Sequence, residues 1–255
     1  MRANMKLFSI QALLFALLLS FSSDRNLFEG EITYLIQNPE SALGETAHLS
    51  LTFNNNRIFV DSNISMNVMA GLSARGVLVR NDLQDFILIT DEKEGLKVAK
   101  TELDNLVTLM NRIQGRQETV ERKPFPWDEK VTETGQTRQI HGYTAYEFQL
   151  KGDADDEYIS VWLTDGIKVD WGLLLEAWYT TGTMQFDHEI PVEMVMNSNS
   201  FPLLVEVYRG GTQVMKAEAQ NVNRSGFDRS KTSLSSDFKL LGLTDLMMNF
   251  FRQQR

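Results

Sequence analysis

The strongest constraint on this chain is alternation. In residues 137–164, Tyr146, Phe148 and Leu150 fall on one face of an extended run while Glu147 and Gln149 fall on the other. Residues 151–156 then read as a loop. A second run places Ile159, Val161 and Leu163 on one face and Tyr158 and Trp162 on the other. A period of two belongs to strands, so a hairpin with aromatic weight on both faces is expected, and something must pack on each. Tyr146, Phe148, Ile159, Val161 and Leu163 are expected on the floor of the core, with Tyr158 and Trp162 toward a second layer or a rim.

The same pattern recurs along most of the chain. Phe28, Gly30, Ile32, Tyr34 and Ile36 alternate with polar residues, as do Ala47, Leu49, Leu51 and Phe53. Asn54-Asn55-Asn56 then supplies a tight turn into 57–61, because asparagine tolerates a left-handed backbone. Strands over 75–81, 84–91 and 95–100 continue a meander, and 129–141 pairs with 143–150. Late in the chain, 201–208 and 213–222 form a hairpin around Arg209-Gly210-Gly211-Thr212, whose glycines suit the positive φ angles of a primed turn.

Three segments change period. Leu103, Leu106, Val107, Met110 and Ile113 recur at three and four between a Thr101 cap and Gly115, which predicts an amphipathic helix over 101–114. Leu173, Leu174, Leu175, Ala177 and Trp178 predict a second over 168–180, and Leu246, Met247, Phe250 and Phe251 a third over 243–251. Met66, Met69 and Leu72, spaced by three, read as a short amphipathic helix or a mobile flap. Segment 187–199 stays open, since Val192, Met194 and Met196 alternate behind Pro191, and serine-rich 225–236 reads as loop.

Arg2 and Lys6 precede the apolar run 7–19, which ends in Ser20-Phe21-Ser22. That is the pattern of a secretory signal peptide over 1–22, and the run is shorter than the ~20 residues of a spanning helix. Residues 23–255 are expected to form a single β-rich domain, periplasmic or secreted, without a membrane span. Losing Arg2 and Lys6 takes the formal charge from −9 to −11, which argues against nucleic acid as a partner. Cysteine is absent, so no disulfide staples an exported core and no lipid attaches through a thiol.

The chemistry-bearing motifs are sparse. Gly71-Leu72-Ser73-Ala74-Arg75 lacks the second glycine of a nucleophile elbow, and no phosphate-cradling loop or dinucleotide fingerprint is present. Asp187-His188-Glu189 reads as a solvated charged turn rather than a metal site. Asp153, Asp155, Asp156 and Glu157 read as a soluble hairpin tip rather than a calcium loop. No catalytic residue, metal ligand or cofactor site is assigned.

Thr137, Ile140, Gly142, Tyr143 and Phe148, followed by a strand reaching Trp162, form a recognisable motif. It resembles a family of uncharacterised exported proteins of Gram-negative envelopes, with Ala145 where many of those carry cysteine. That family is similar to the lipoprotein-carrier superfamily of the LolA, LolB and RseB type. The resemblance implies an α+β fold: a strongly curved antiparallel sheet, an incomplete barrel of about ten strands, with two or three helices on its concave face. The function it implies is a non-catalytic envelope protein that binds a lipid or lipoprotein acyl chains between sheet and helices. The apolar side chains assigned to such a site are Met66, Met69, Leu106, Met110, Leu174 and Trp178, with methionine suited to an adaptable lid. The competing expectation is a structural or protein-interaction module of the envelope, which would use sheet edges or the region of Phe125 and Trp127.

Overall fold

The computed structural model describes residues 27–37, 46–69, 72–113, 127–152, 154, 156–181 and 192–243. The alternating runs become β1 (Gly30–Gln37), β2 (Thr46–Asn54), β3 (Arg57–Met69), β4 (Leu72–Arg80), β5 (Asp85–Asp91) and β6 (Glu94–Ala99). After them come β7 (Val131–Ile140), β8 (Tyr143–Lys151), β9 (Tyr158–Thr164), β10 (Phe201–Arg209), β11 (Thr212–Asn223) and β12 (Lys239–Gly242). The described helices are α1 (Lys100–Ile113), α2 (Trp127–Lys130), α3 (Gly172–Thr181) and α4 (Val192–Val195).

All twelve strands lie in one sheet, in the order β12-β6-β5-β4-β3-β2-β1-β11-β10-β9-β8-β7. Two meanders therefore run outward from a shared seam. At that seam β1 and β11 pair antiparallel, with Ile32 opposite Val222 and Tyr34 opposite Ala219. Positive φ angles close the tight turns as the residue types predict: Asn55 and Asn56 at 50° and 58°, Gly210 and Gly211 at 57° and 71°.

The last strand breaks the antiparallel rule. After β11 the chain crosses meander one: Asn54 Nδ2 donates to Thr232 Oγ1 at 3.0 Å, Arg57 Nη1 to the Thr232 carbonyl at 3.2 Å, and Lys231 meets Glu31 at 2.6 Å. It then lays β12 parallel to β6. This crossover makes the sheet mixed, and residues 239–242, unassigned from sequence, are its twelfth strand.

The expected α+β architecture is thus overturned: the chain is mainly β, its sheet is mixed, and a helix-packed concave face is not formed among the described residues. The physical reason lies in the aromatic side chains. Trp171, on the segment entering α3, stacks on Phe201 with ring centroids 5.7 Å apart and planes at 4°. Phe53 meets both rings edge-on at 5.7 and 6.1 Å, and Phe28 meets Phe53 at 5.9 Å. Strand and loop aromatics thus make up much of the core, with Leu173, Leu174 and Leu175 of α3 packed beside them, each aromatic pair adding about 0.5–1.5 kcal/mol beyond its burial.

Helix α3 packs Leu173, Leu174 and Leu175 against the larger core cluster and is fixed at its start. Asn81 in the β4–β5 turn accepts from the Leu173 amide at 2.9 Å and donates to the Asp170 carbonyl at 3.3 Å. Lys100 of α1 pairs with Glu176 of α3, so the two helices stand against each other near β4 and β6.

Two readings from periodicity also change. Residues 62–74 are not a helix or a separate flap: β3 continues to Met69 and β4 starts at Leu72, with Met66 opposite Ala74. A spacing of three over so few residues does not outweigh a ladder that can extend from Arg57. Within 187–199 the described residues 192–199 form helix α4 followed by bends, and no strand. The helix expected over 243–251 falls, after Leu243, outside the described residues.

Candidate functional site

The region that carries the alternating motif is also the free end of the sheet. β7 pairs with β8 on one side, and no described strand pairs with its other side. Most of its residues are exposed. Unpaired strand edges present rows of amide N–H and C=O groups, which makes them templates for another chain.

The β7–β8 hairpin closes at His141 and Gly142, with φ angles of 50° and 81°, between the opposed residues Ile140 and Tyr143. Two successive positive φ values define the primed turn that matches strand twist. Gly142 serves that turn, rather than the bulge a glycine there could equally have signalled. The His141 ring is fixed across the sheet, its Nε2 donating to the Ala219 carbonyl at 2.7 Å.

A bulge does occur, inside β7. The register slips between Glu133 and Thr137, and Gly135 has a φ of 73°. Thr134 sits in the bulge and accepts from the Gln136 amide at 3.2 Å while donating to Glu147 Oε2 at 2.8 Å. Glu147 also accepts from Ser160 Oγ at 2.6 Å and from Gln149 Nε2 at 3.3 Å. At 6% exposure, this carboxylate is a buried charge satisfied by neutral donors. Burial alone pushes its pKa up, but those three bonds and the nearby Arg138 charge outweigh burial and leave it lowered.

Glu147 lies directly opposite Trp162, and Arg138 covers the indole with its Cζ 4.4 Å from the ring centroid. Farther along β9 and β10, Ser160 opposes Glu206 and Tyr158 opposes Tyr208. The two tyrosine rings stack at 4.6 Å, and Gln213 Nε2 donates to Glu206 Oε1 at 2.8 Å. The result is one polar and aromatic face across β7 to β11. Burial, together with the Tyr208, Glu147 and Glu206 groups, raises the pKa of Tyr158, which places these groups within electrostatic reach of one another.

Of the two places expected for Trp162, the structure takes the second layer: it is 4% exposed and part of the larger apolar cluster with Phe201 and Trp171, not a rim residue. Ile159, Val161 and Leu163 pack instead in a second cluster with Val205, Val207 and Met194 of α4. Tyr146, expected beside them, is 39% exposed.

The six apolar residues assigned to a lipid site fare unevenly as a group. Leu174 is half-buried on α3 and packs against the larger cluster. Met66 and Met69 lie on β3, Leu106 and Met110 on α1, and Trp178 on α3, but their side chains fall outside the described residues. So do the Trp127 side chain, Phe125, Asp153, Asp155 and Asp187-His188-Glu189. Among the described residues no group of three or more His, Asp or Glu could hold a metal ion, and no helix is long and apolar enough to cross a membrane.

No family model matches the chain, and no curated protein matches it. Among solved structures it is similar to PNGF-II in two crystal forms, P21 and C2, at 12% identity. Those matches have TM-scores of 0.39 and 0.37 and cover 87% and 86% of this chain. The chain spans about a third of PNGF-II, 33% and 32% of its length. A DUF1329 family protein from Desulfovibrio piger ATCC 29098 is similar at 8% identity and a TM-score of 0.24, over 82% of this chain and 90% of that one. Scores this low assign neither a family nor an activity.

The Glu147 constellation was missed from sequence because its members lie on three strands. One signal was present: alternation puts Glu147 on the same kind of face as Trp162, and a carboxylate opposite an indole needs donors close by.

Proposed function

We propose that this chain is an exported, non-catalytic binding protein of the cell envelope, periplasmic or secreted, that takes a protein partner along the free edge of β7. The observation that carries the reading is the outer side of a ten-residue, largely exposed strand, which no strand among the described residues pairs. Beyond the Gly135 bulge, Thr137 to Ile140 stay regularly paired to β8, so their outward groups are aligned to receive an extended segment. Strand addition of this kind draws affinity from main-chain hydrogen bonds and specificity from alternate side chains.

The test is amide exchange with a purified envelope partner captured from the host. Outward amides in 137–140 gain protection in the complex, and Thr137→Lys, a charge of the kind that guards natural strand edges, abolishes capture. A complex that leaves those amides unprotected and forms equally with the variant rules the edge out.

A second reading is lipid binding, favoured by the separate apolar cluster of Leu150, Ile159, Val161, Val205 and Val207 beside Met194, a residue type that adapts to irregular partners. Native mass spectrometry of the protein from its own host would reveal a retained lipid. A ligand-free spectrum together with no uptake of a fluorescent lipid removes this reading.

A further inference from the structure

The indole Nε1 of Trp162 is buried and has no hydrogen-bond partner among the described residues. A buried N–H without an acceptor costs about 1–3 kcal/mol, and buried polar groups in folded chains are overwhelmingly paired. It sits opposite Glu147, whose carboxylate has about four acceptor positions and receives three side-chain donors, from Ser160, Thr134 and Gln149. An orphan donor and a carboxylate with remaining acceptor capacity therefore belong to opposed residues on one face of β8 and β9.

From β7, Thr134 binds Glu147, and Arg138, which is exposed, lies over the Trp162 ring face. A cation over an indole at an exposed site is held by about 0.5–1 kcal/mol, so a ligand can displace it. The charges at the site, Glu147 and Glu206 against Arg138 and Lys151, are balanced. An anion would meet the Glu147 carboxylate, and a cation would leave the Trp162 donor unused. A hydroxyl fits both, since it accepts from Nε1 and donates to a carboxylate in the same geometry. Along the same face Ser160, Gln149, Gln213, Tyr158 and Tyr208 repeat this mix of donors, acceptors and aromatic surface.

We infer that the face of β8, β9 and β10 centred on Trp162 and Glu147 binds a neutral, hydroxyl-rich ligand, a carbohydrate chain, with Arg138 as the movable cover. The site lies on the sheet face and does not depend on the use of the β7 edge.

The test uses indole N–H resonances of the protein, with Trp162→Phe identifying the Trp162 signal, titrated with maltohexaose, cellohexaose and chitohexaose. At least one of these shifts the Trp162 resonance and slows its exchange. Trp162→Phe keeps a ring but removes the donor, and binding weakens about tenfold, the loss of one hydrogen bond. Arg138→Ala tightens or leaves binding unchanged, while Glu147→Gln weakens it with the fold intact by circular dichroism. A purely structural role gives the opposite pattern: Trp162→Phe melts at the same or a higher temperature, because an unsatisfied donor is gone, and no sugar affinity changes. That result overturns the assignment, as does a Trp162 signal that responds to none of the three sugars, or only to an added peptide.

Discussion

Arg80 and Asp85 meet through two bonds of 2.6 Å each, Nε to Oδ1 and Nη2 to Oδ2, as a directly opposed pair at the turn between β4 and β5. Asp85 is buried, Arg80 nearly so, and Lys97 approaches the same carboxylate at 3.5 Å. Such a fork-to-fork pair fixes register as well as charge. It holds the turn that also carries Asn81, and so the start of α3.

Removing one partner of this pair leaves the other charge buried. Asp85→Ala is expected to cost about 3–5 kcal/mol, read as a fall in the midpoint of urea unfolding. A cost below about 1 kcal/mol, the value of a solvated surface pair, would show that water reaches Arg80.

Glu147 makes stability depend on pH in a stated direction. Its folded pKa is lowered by Ser160, Thr134, Gln149 and Arg138 against the opposing effect of burial. The stabilisation is therefore present above the unfolded carboxylate pKa and is lost as pH falls through the folded one. Glu31 and Asp82, also lowered, act in the same acid window. Glu147→Gln is expected to reduce stability near neutrality and to flatten the acid side of the melting-temperature profile. An unchanged acid slope in the variant would remove Glu147 from the account.

Phe201 touches Trp171, Phe53 and Tyr34 and is fully buried. Phe201→Ala is expected to cost about 3–5 kcal/mol, transfer and cavity together. Phe201→Leu should cost less, since it retains most of the volume. Chemical denaturation of both variants checks the order.

Gly142 isolates a backbone effect. A Cβ there would meet nothing within 4 Å, yet φ is 81°. Gly142→Ala is expected to cost about 1–2 kcal/mol and Gly142→Asn less, because asparagine tolerates the left-handed region. Equal costs for the two would point to a side-chain clash instead of backbone strain.

Local residue types were enough to place most strands and the helices α1 and α3. Alternation in 143–150 and 201–208 survives because a strand buried on one face must repeat every two residues, whatever lies beyond it. Asn55-Asn56 and Gly210-Gly211 declare their turns because few residues accept positive φ. His141-Gly142 did not, since histidine at such a position is held by a distant acceptor, the Ala219 carbonyl, that no neighbour in sequence reveals.

What the sequence by itself determined is the set of extended runs, their turns and their two-faced character. Tertiary structure alone decided that β1 meets β11, that β12 joins β6 in parallel after crossing the sheet, and that Trp171 stacks on Phe201 in the main core cluster. It also decided that Glu147, Ser160, Thr134, Arg138 and Trp162 converge. Period and turn chemistry are properties of neighbouring residues, so they can be read locally. Strand order, face and burial of charge depend on which distant surfaces come together, and only the folded chain supplies that.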